Sequence, residues 1–207
     1  CARAVASAKA MLMKPTKTAA EIEALCREGI RRMGPDAELY VRPMFFIRKG
    51  LGAARPDPDS TDFILSIYDS PIPQWAGFSA VMAPFRRPTP EMAPTDAKAA
   101  CLYPNGARAS AFAATQGADN AVMCDAFGHV AEFASANLWF AKDGKVVTPA
   151  VNHTFLNGIT RQRIIGLFKD AGVAVEERAV KPAELETADE IFSTGNYAKV
   201  QPCTRYN

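Results

Sequence analysis

Four short stretches hold residues whose type and surroundings bear on chemistry. Lys98 lies in "TDAKAACLYPN", where no other charged residue follows Asp96 for ten positions. A lysine among alanine, cysteine and leucine is either an exposed residue at a sheet edge or a partly buried one. In the second case lost hydration lowers its pKa and makes the amine a nucleophile toward carbonyls. Glu132 in "GHVAEFASANLW" shares one face of an alternating strand with Val130, away from Ala131 and Phe133. Such a carboxylate sits at a solvated edge or is held for a purpose, for instance opposite a pyridine nitrogen. "GITR", Gly158 to Arg161, opens a helix whose first N–H groups converge at the positive end of its dipole, which suits either a capped helix start or an anion such as phosphate. Thr194-Gly195-Asn196 is a second turn of this kind.

Arg42, in "LYVRPMFF", shares a strand face with Tyr40 and Met44, and an arginine in so apolar a strand calls for a carboxylate partner, as an internal salt bridge would supply. His129 and His153 are isolated, without ligand spacing, so they read as surface or turn residues, and no metal site or Ser/His/Asp set is indicated. Arg86-Arg87 reads as a solvated strand end. The charge is +2, from 24 basic and 22 acidic residues spread through 207, which gives no basic block for nucleic acid or an anionic membrane. Hydrophobic residues make up 48% and charged ones 22%, the composition of a soluble globular protein with a sizeable core. The five cysteines lie far apart without a CxxC pair, against a disulfide framework or zinc site and in keeping with a reducing cytoplasm. No apolar run approaches the roughly 20 residues of a membrane span. The opening "CARAVASAKAML" reads as a helix entered midway, so a part of a longer polypeptide is expected.

These residues need elements to position them. "TAAEIEALCREGIRRMG" has a capping box, Thr18 with Glu21, and a stop at Gly34, and predicts a helix. "AELYVRPMFFIRKG" and "TDFILSIYDS" predict two antiparallel strands joined by a long hairpin loop. The prolines and glycine of Ser70 to Ala80 mark a linker, so residues 1–70 form a small α/β domain, 71–80 the linker and 81–207 a larger domain. There "AVMAPFRRP" reads as a strand, "PTDAKAACLYPNGARASAFAATQG" as an extended stretch entering a helix, and "DNAVMCDAFGHVAEF" as two short strands. "NLWFAKDGKVVTP" is a hairpin turning at Asp143-Gly144. After the "GITR" helix come a strand "VAVEERAV", a helical piece "PAELETA" and a last strand "EIFSTGNYAKVQPCT". The class is mixed α/β or α+β with much antiparallel sheet.

In order, "YVRP", "DAKAACLY", "DAFGHVAEFASANLW", "LNGITRQRII" and "EIFSTGN" resemble the class IV pyridoxal-phosphate aminotransferases, and among them the branched-chain amino acid aminotransferases. The resemblance runs from "ELYVRP" to "ADEIFSTGNYAKVQP". It implies a fold type IV enzyme, with a small N-terminal α/β domain and a larger domain built on a pseudo-barrel of mostly antiparallel strands. It implies pyridoxal 5'-phosphate as cofactor, Lys98 as the lysine of the internal aldimine and proton shuttle, and Tyr103 as the partner of the cofactor's phenolic oxygen. Glu132 would pair with the pyridine nitrogen, and the N–H groups of Ile159 and Thr160, with Gly195 and Asn196, would hold the phosphate. Tyr40 and Arg42 match the substrate-side strand, and Asn196 and Tyr197 lie where the substrate α-carboxylate binds.

The implied reaction moves the amino group of leucine, isoleucine or valine to 2-oxoglutarate, in a homodimer or higher homo-oligomer acting on small amino and 2-oxo acids. Aminodeoxychorismate lyase and D-amino acid aminotransferase share the scaffold, and a non-catalytic phosphate-ligand-binding protein is the alternative of another class. This chain has Asn196, Tyr197 and Ala198 where the family has a hydroxyl residue followed by two small ones, which bears on the substrate pocket. The family's phosphate-binding arginine falls upstream of Cys1, and both domains are expected to be incomplete.

Overall fold

The computed structural model describes residues 1–51 and 54–207; the part of the expected hairpin loop at positions 52 and 53 lies outside them. The chain divides into two compact units: Cys1–Ile72 with Ala97–Ala99, and Pro73–Asp96 with Ala100–Asn207. No helix of the described residues is long and apolar enough to cross a membrane.

The first unit runs α1 (Ala2–Ala10), α2 (Ala19–Met33), β1 (Leu39–Ile47), β2 (Gly50–Leu51), β3 (Arg55–Pro56), a 3-10 turn at Pro58–Ser60 and β4 (Thr61–Asp69). The capping box forms: Thr18 Oγ1 accepts the Glu21 N–H while the Glu21 carboxylate accepts the Thr18 N–H at 2.8 Å. β1 and β4 pair antiparallel from Leu39↔Asp69 to Ile47↔Thr61. The period of two sorts their side chains onto two faces. Leu65 and Ile67 turn toward α2, where Gly29 comes so close that an added Cβ would collide with Ile67 Cδ1. Tyr40, Arg42 and Met44 share the opposite face with their partners Tyr68, Ser66 and Ile64, and the rings of Tyr40 and Tyr68 stack at 5.5 Å.

In the second unit, β5 (Phe78–Arg86) is followed by a 3-10 turn at Ala100–Leu102, then α3 (Pro104–Thr115), β6 (Asn120–Cys124), β7 (Val130–Phe133), β8 (Asn137–Lys142) and β9 (Lys145–Pro149). α4 (Ile159–Asp170), β10 (Val175–Arg178), α5 (Pro182–Glu186), β11 (Glu190–Gly195) and β12 (Lys199–Tyr206) complete it. The last predicted strand is thus two, since the chain reverses over Asn196–Ala198 and Lys199 takes a positive φ of 56°. The eight strands make one mixed α/β sheet in the order β10-β9-β8-β11-β12-β5-β6-β7. Pairs β9–β8, β8–β11, β11–β12 and β6–β7 are antiparallel, and β10–β9, β12–β5 and β5–β6 are parallel. The sheet curls until its edges meet, the Val130 N–H of β7 donating to Val180 O just beyond β10 at 2.8 Å. The β8–β9 turn forms at Asp143-Gly144, with φ of 51° and 73°, where glycine's freedom is required.

Phe133, Leu138, Phe140, Val147, Val180 and Ile191 fill the inside of the curl. On the outside, Ala109 and Ala113 of α3 pack on Ala83, Ala121 and Met123, small residues that bring helix and sheet close. The approach is tightest at Gly106, where a Cβ would stand 2.9 Å from the Ala134 carbonyl oxygen. Gly106→Ala gains up to about 1 kcal/mol of helix propensity but drives a methyl into backbone, an overpacking cost of about 1–3 kcal/mol. The expected net effect is a lower midpoint of denaturant unfolding; an unchanged or higher midpoint would contradict the packing described.

Candidate functional site

Glu132 lies on the edge strand β7, opposite Met123 of β6. Its side chain is nonetheless only 13% exposed, because Arg87, 7% exposed, stands against it with Nε 3.3 Å from Oε1. Arg87 directly follows β5, and its backbone N–H donates to Cys124 O at 2.9 Å. Its guanidinium donates to Thr154 O at 3.1 Å and Leu102 O at 3.5 Å. The expectation of a solvated Arg86-Arg87 pair therefore holds only for Arg86. The sheet register turns Arg87 inward, and the signal in the sequence was the need of a buried carboxylate for a cation, which names no particular arginine.

Asn137, at the start of β8, joins this pair to the next feature. Its Nδ2 lies 3.4 Å from Glu132 Oε2 and donates to Leu156 O at 3.0 Å. Leu156 leads into the turn before α4. Gly158 fits there because an added Cβ would collide with Oδ1 of the buried Asn137. Gly158 is the N-cap residue of α4, and no side chain caps the helix; Gln162 N–H is bonded to Gly158 O at 3.0 Å. Ile159, Thr160 and Arg161, the residues before Gln162, have no intrahelical acceptor for their N–H groups. Thr160 is not at the N-cap, so the side-chain-capped alternative is not what the helix start shows.

Arg161 is 1% exposed. Its Nη1 donates to Asn157 Oδ1 at 3.0 Å, and its Nη2 donates to Pro149 O at 3.0 Å and to Glu177 Oε2 at 2.7 Å. The second turn, Asn196–Ala198, ends β11, where Thr194 faces Asn137 across the ladder. Lys199 Nζ donates to Asn196 O at 2.6 Å and braces that turn. Tyr197 is 57% exposed. Tyr103 precedes α3 at its N-cap position, is 45% exposed, and its N–H donates to Ala100 O at 3.2 Å. Cys124, beside Met123, has its thiol pushed up by burial, so it stays protonated near neutral pH.

The second unit therefore brings Glu132, Arg87, Asn137 and the α4 turn together, with Tyr103 one residue beyond the Leu102 carbonyl that Arg87 binds. Lys98, Tyr40 and Arg42 belong to the first unit. The Lys98 N–H donates to Ser7 Oγ of α1 at 2.9 Å. Of the two readings of Lys98 the exposed one is found: Ala97 takes the inward position, fully buried, and leaves Lys98 exposed. Arg42 is exposed and, among the described residues, has no carboxylate partner, so the internal salt bridge is absent.

A family model described as amino-transferase class IV matches residues 1–206. A probable branched-chain-amino-acid aminotransferase of Aquifex aeolicus is 31% identical over 207 residues, covering 97% of this chain and 65% of the relative. The chain thus spans about two thirds of the curated relatives it matches, just under that fraction at 65%. Among solved structures, an aminotransferase from Brucella abortus bound to PLP superposes with a TM-score of 0.96 at 46% identity, covering 99% of this chain and 74% of that one. The Escherichia coli branched-chain amino acid aminotransferase gives 0.89 at 31% identity, covering 98% and 67%.

Removing Arg87 strands a buried carboxylate. Arg87→Met is expected to lower stability by about 3–5 kcal/mol, read by denaturant unfolding, and the further change Glu132→Gln to restore a large part of the loss. Independent, additive effects would contradict the pairing.

Proposed function

The chain belongs to the class IV aminotransferases, and from that premise we propose that it moves the amino group of leucine, isoleucine or valine to 2-oxoglutarate with pyridoxal 5'-phosphate as cofactor. The observation that carries this reading is the Glu132 carboxylate, kept beside Arg87 and linked through Asn137 to an uncapped helix start. The branched-chain names of relatives at 31% identity support the substrate class.

The residues fit the cofactor on two counts. The first amides of α4 are uncapped for a phosphate, and the carboxylate that would face a pyridinium is held next to a fixed cation. When bound, pyridoxal 5'-phosphate supplies an aldehyde and an electron-withdrawing ring that weakens bonds at the substrate Cα.

The chain's own residues do the rest. Glu132 accepts the ring N–H, and Arg87 keeps that carboxylate oriented. Tyr103 donates to the phenolic oxygen, and the N–H groups of Ile159 and Thr160, with the turn at Gly195 and Asn196, take the phosphate. Lys98 Nζ moves the proton at the substrate Cα. Tyr40 and Arg42 form the side-chain pocket, where the arginine, lacking a carboxylate partner among the described residues, can take the distal carboxylate of glutamate. Asn196 and Tyr197 stand at the α-carboxylate. In this reading residues 1–70 form the substrate-side domain, 71–80 the linker and 81–207 the cofactor domain, in a homodimer of the cytoplasm.

The full-length protein is expected to show the visible band of bound pyridoxal phosphate and to form glutamate from leucine and 2-oxoglutarate, but not from D-alanine. Lys98→Ala is expected to lower transamination by about 10³-fold, the scale of a lost proton-transfer group. Wild-type activity in Lys98→Ala would remove Lys98 from the chemistry, and turnover of D-alanine or aminodeoxychorismate in place of leucine would move the protein to another branch.

A further inference from the structure

β8 is buried on both faces. Leu138 and Phe140 point into the curl, whereas Asn137 and Trp139 share the face covered by α4 with their ladder partners Thr194 and Phe192. Trp139 is fully buried and sits between the two turns assigned above to phosphate. Toward β11, its Nε1–H donates to Thr194 Oγ1 at 2.9 Å, and Thr194 is itself 1% exposed and immediately precedes Gly195. Toward α4, its ring lies 5.9 Å from the Arg161 guanidinium carbon, at the limit of a cation–π contact. Arg161 in turn holds Asn157, the residue before Gly158. The Phe168 ring, one face of α4 further on, lies 6.1 Å from Trp139, and Phe192 stacks on it at 5.7 Å and 10°. Trp139 thus cannot turn without giving up its hydrogen bond.

Resting on the proposed phosphate site, we infer that Trp139 is a positioning residue that locks the β11–β12 turn to the amino terminus of α4, so that the two turns bind one phosphate monoester together. Asn137 adds a backbone-level link, facing Thr194 in the ladder while its side chain reaches Glu132 and Leu156 O, but among the described residues it is Trp139 whose side chain bonds that of Thr194. Two rigid backbone loops that must converge on one small anion gain affinity from being held at fixed separation, since the ordering cost is met before the ligand arrives. A phenylalanine at position 139 would keep much of the ring packing and lose only the donor, leaving a buried hydroxyl unsatisfied.

The test uses dissociation constants of the full-length protein for pyridoxal 5'-phosphate and for pyridoxal, which lacks the phosphate, in wild type, Trp139→Phe, Thr194→Val and the double variant. Thr194→Ser, which keeps the acceptor, controls for folding and is expected to match wild type. Each single change is expected to weaken the phosphorylated ligand about tenfold, the scale of one buried hydrogen bond left unmade. Pyridoxal binding is expected to stay within twofold of wild type, and the double variant to be no weaker than either single one. Equal losses for both ligands, or additive losses in the double variant, would overturn the tie while leaving the phosphate site standing. If wild type binds pyridoxal as tightly as its phosphate, the phosphate site itself fails, and the tie with it.

Discussion

A carboxylate taken out of water must be met by a cation, and in this chain that demand organises the second unit. Glu132 projects from an edge strand yet is mostly buried, which is tolerable because the Arg87 guanidinium lies 3.3 Å away. Arg87 can stand there only if β5 lies beside β6, so that the residue following β5 reaches over toward β7. The guanidinium also fixes two carbonyls, Thr154 O and Leu102 O, and these belong to the segments that lead into α4 and α3. One ion pair therefore sets the positions of the acid, of the helix that follows Tyr103 and of the approach to the helix that follows Gly158.

The face of β8 toward α4 extends the same logic. Asn137 spends its amide on Glu132 and on the backbone before Gly158, and Trp139 spends its indole N–H on Thr194. Arg161 fills the gap beneath the helix start, bonded to Asn157, Pro149 and Glu177. The Asn137 amide, the Trp139 indole N–H and the Arg161 Nη atoms are all bonded, so the uncapped amides of α4 are set by packing and not by a capping side chain. A helix start prepared in this way offers its N–H groups to a ligand without local rearrangement.

Local chemistry was readable from the residues alone. The Thr18–Glu21 box and the Asp143-Gly144 turn each depend on neighbours a few positions apart, and both are present. The alternation read around Glu132 is broken by a bulge in the β6–β7 ladder, which puts Val130 in the same core cluster as Phe133 and leaves Glu132 opposite Met123. What depends on distant partners was not readable in this way. Two adjacent arginines look alike in sequence, and only the β5–β6 register makes Arg86 exposed and Arg87 buried. Arg161 likewise gained partners from β9 and β10, the two parallel strands that its helix connects. The order that places β12 beside β5 joins the two ends of the second unit, and no short-range pattern encodes it. The apolar neighbours of Lys98 leave both an exposed and a partly buried lysine open, and in the fold Ala97 takes the inward place and Lys98 the exposed one.

Lys98 is the residue on which the proposed chemistry turns. The most direct test is to treat the full-length protein, loaded with pyridoxal 5'-phosphate, with borohydride, digest it and find the pyridoxyl-bearing peptide by mass spectrometry. The label is expected on Lys98, in the peptide containing "TDAKAACLYPN". A label on another lysine, or no stable label from a protein that still binds the cofactor, would contradict it.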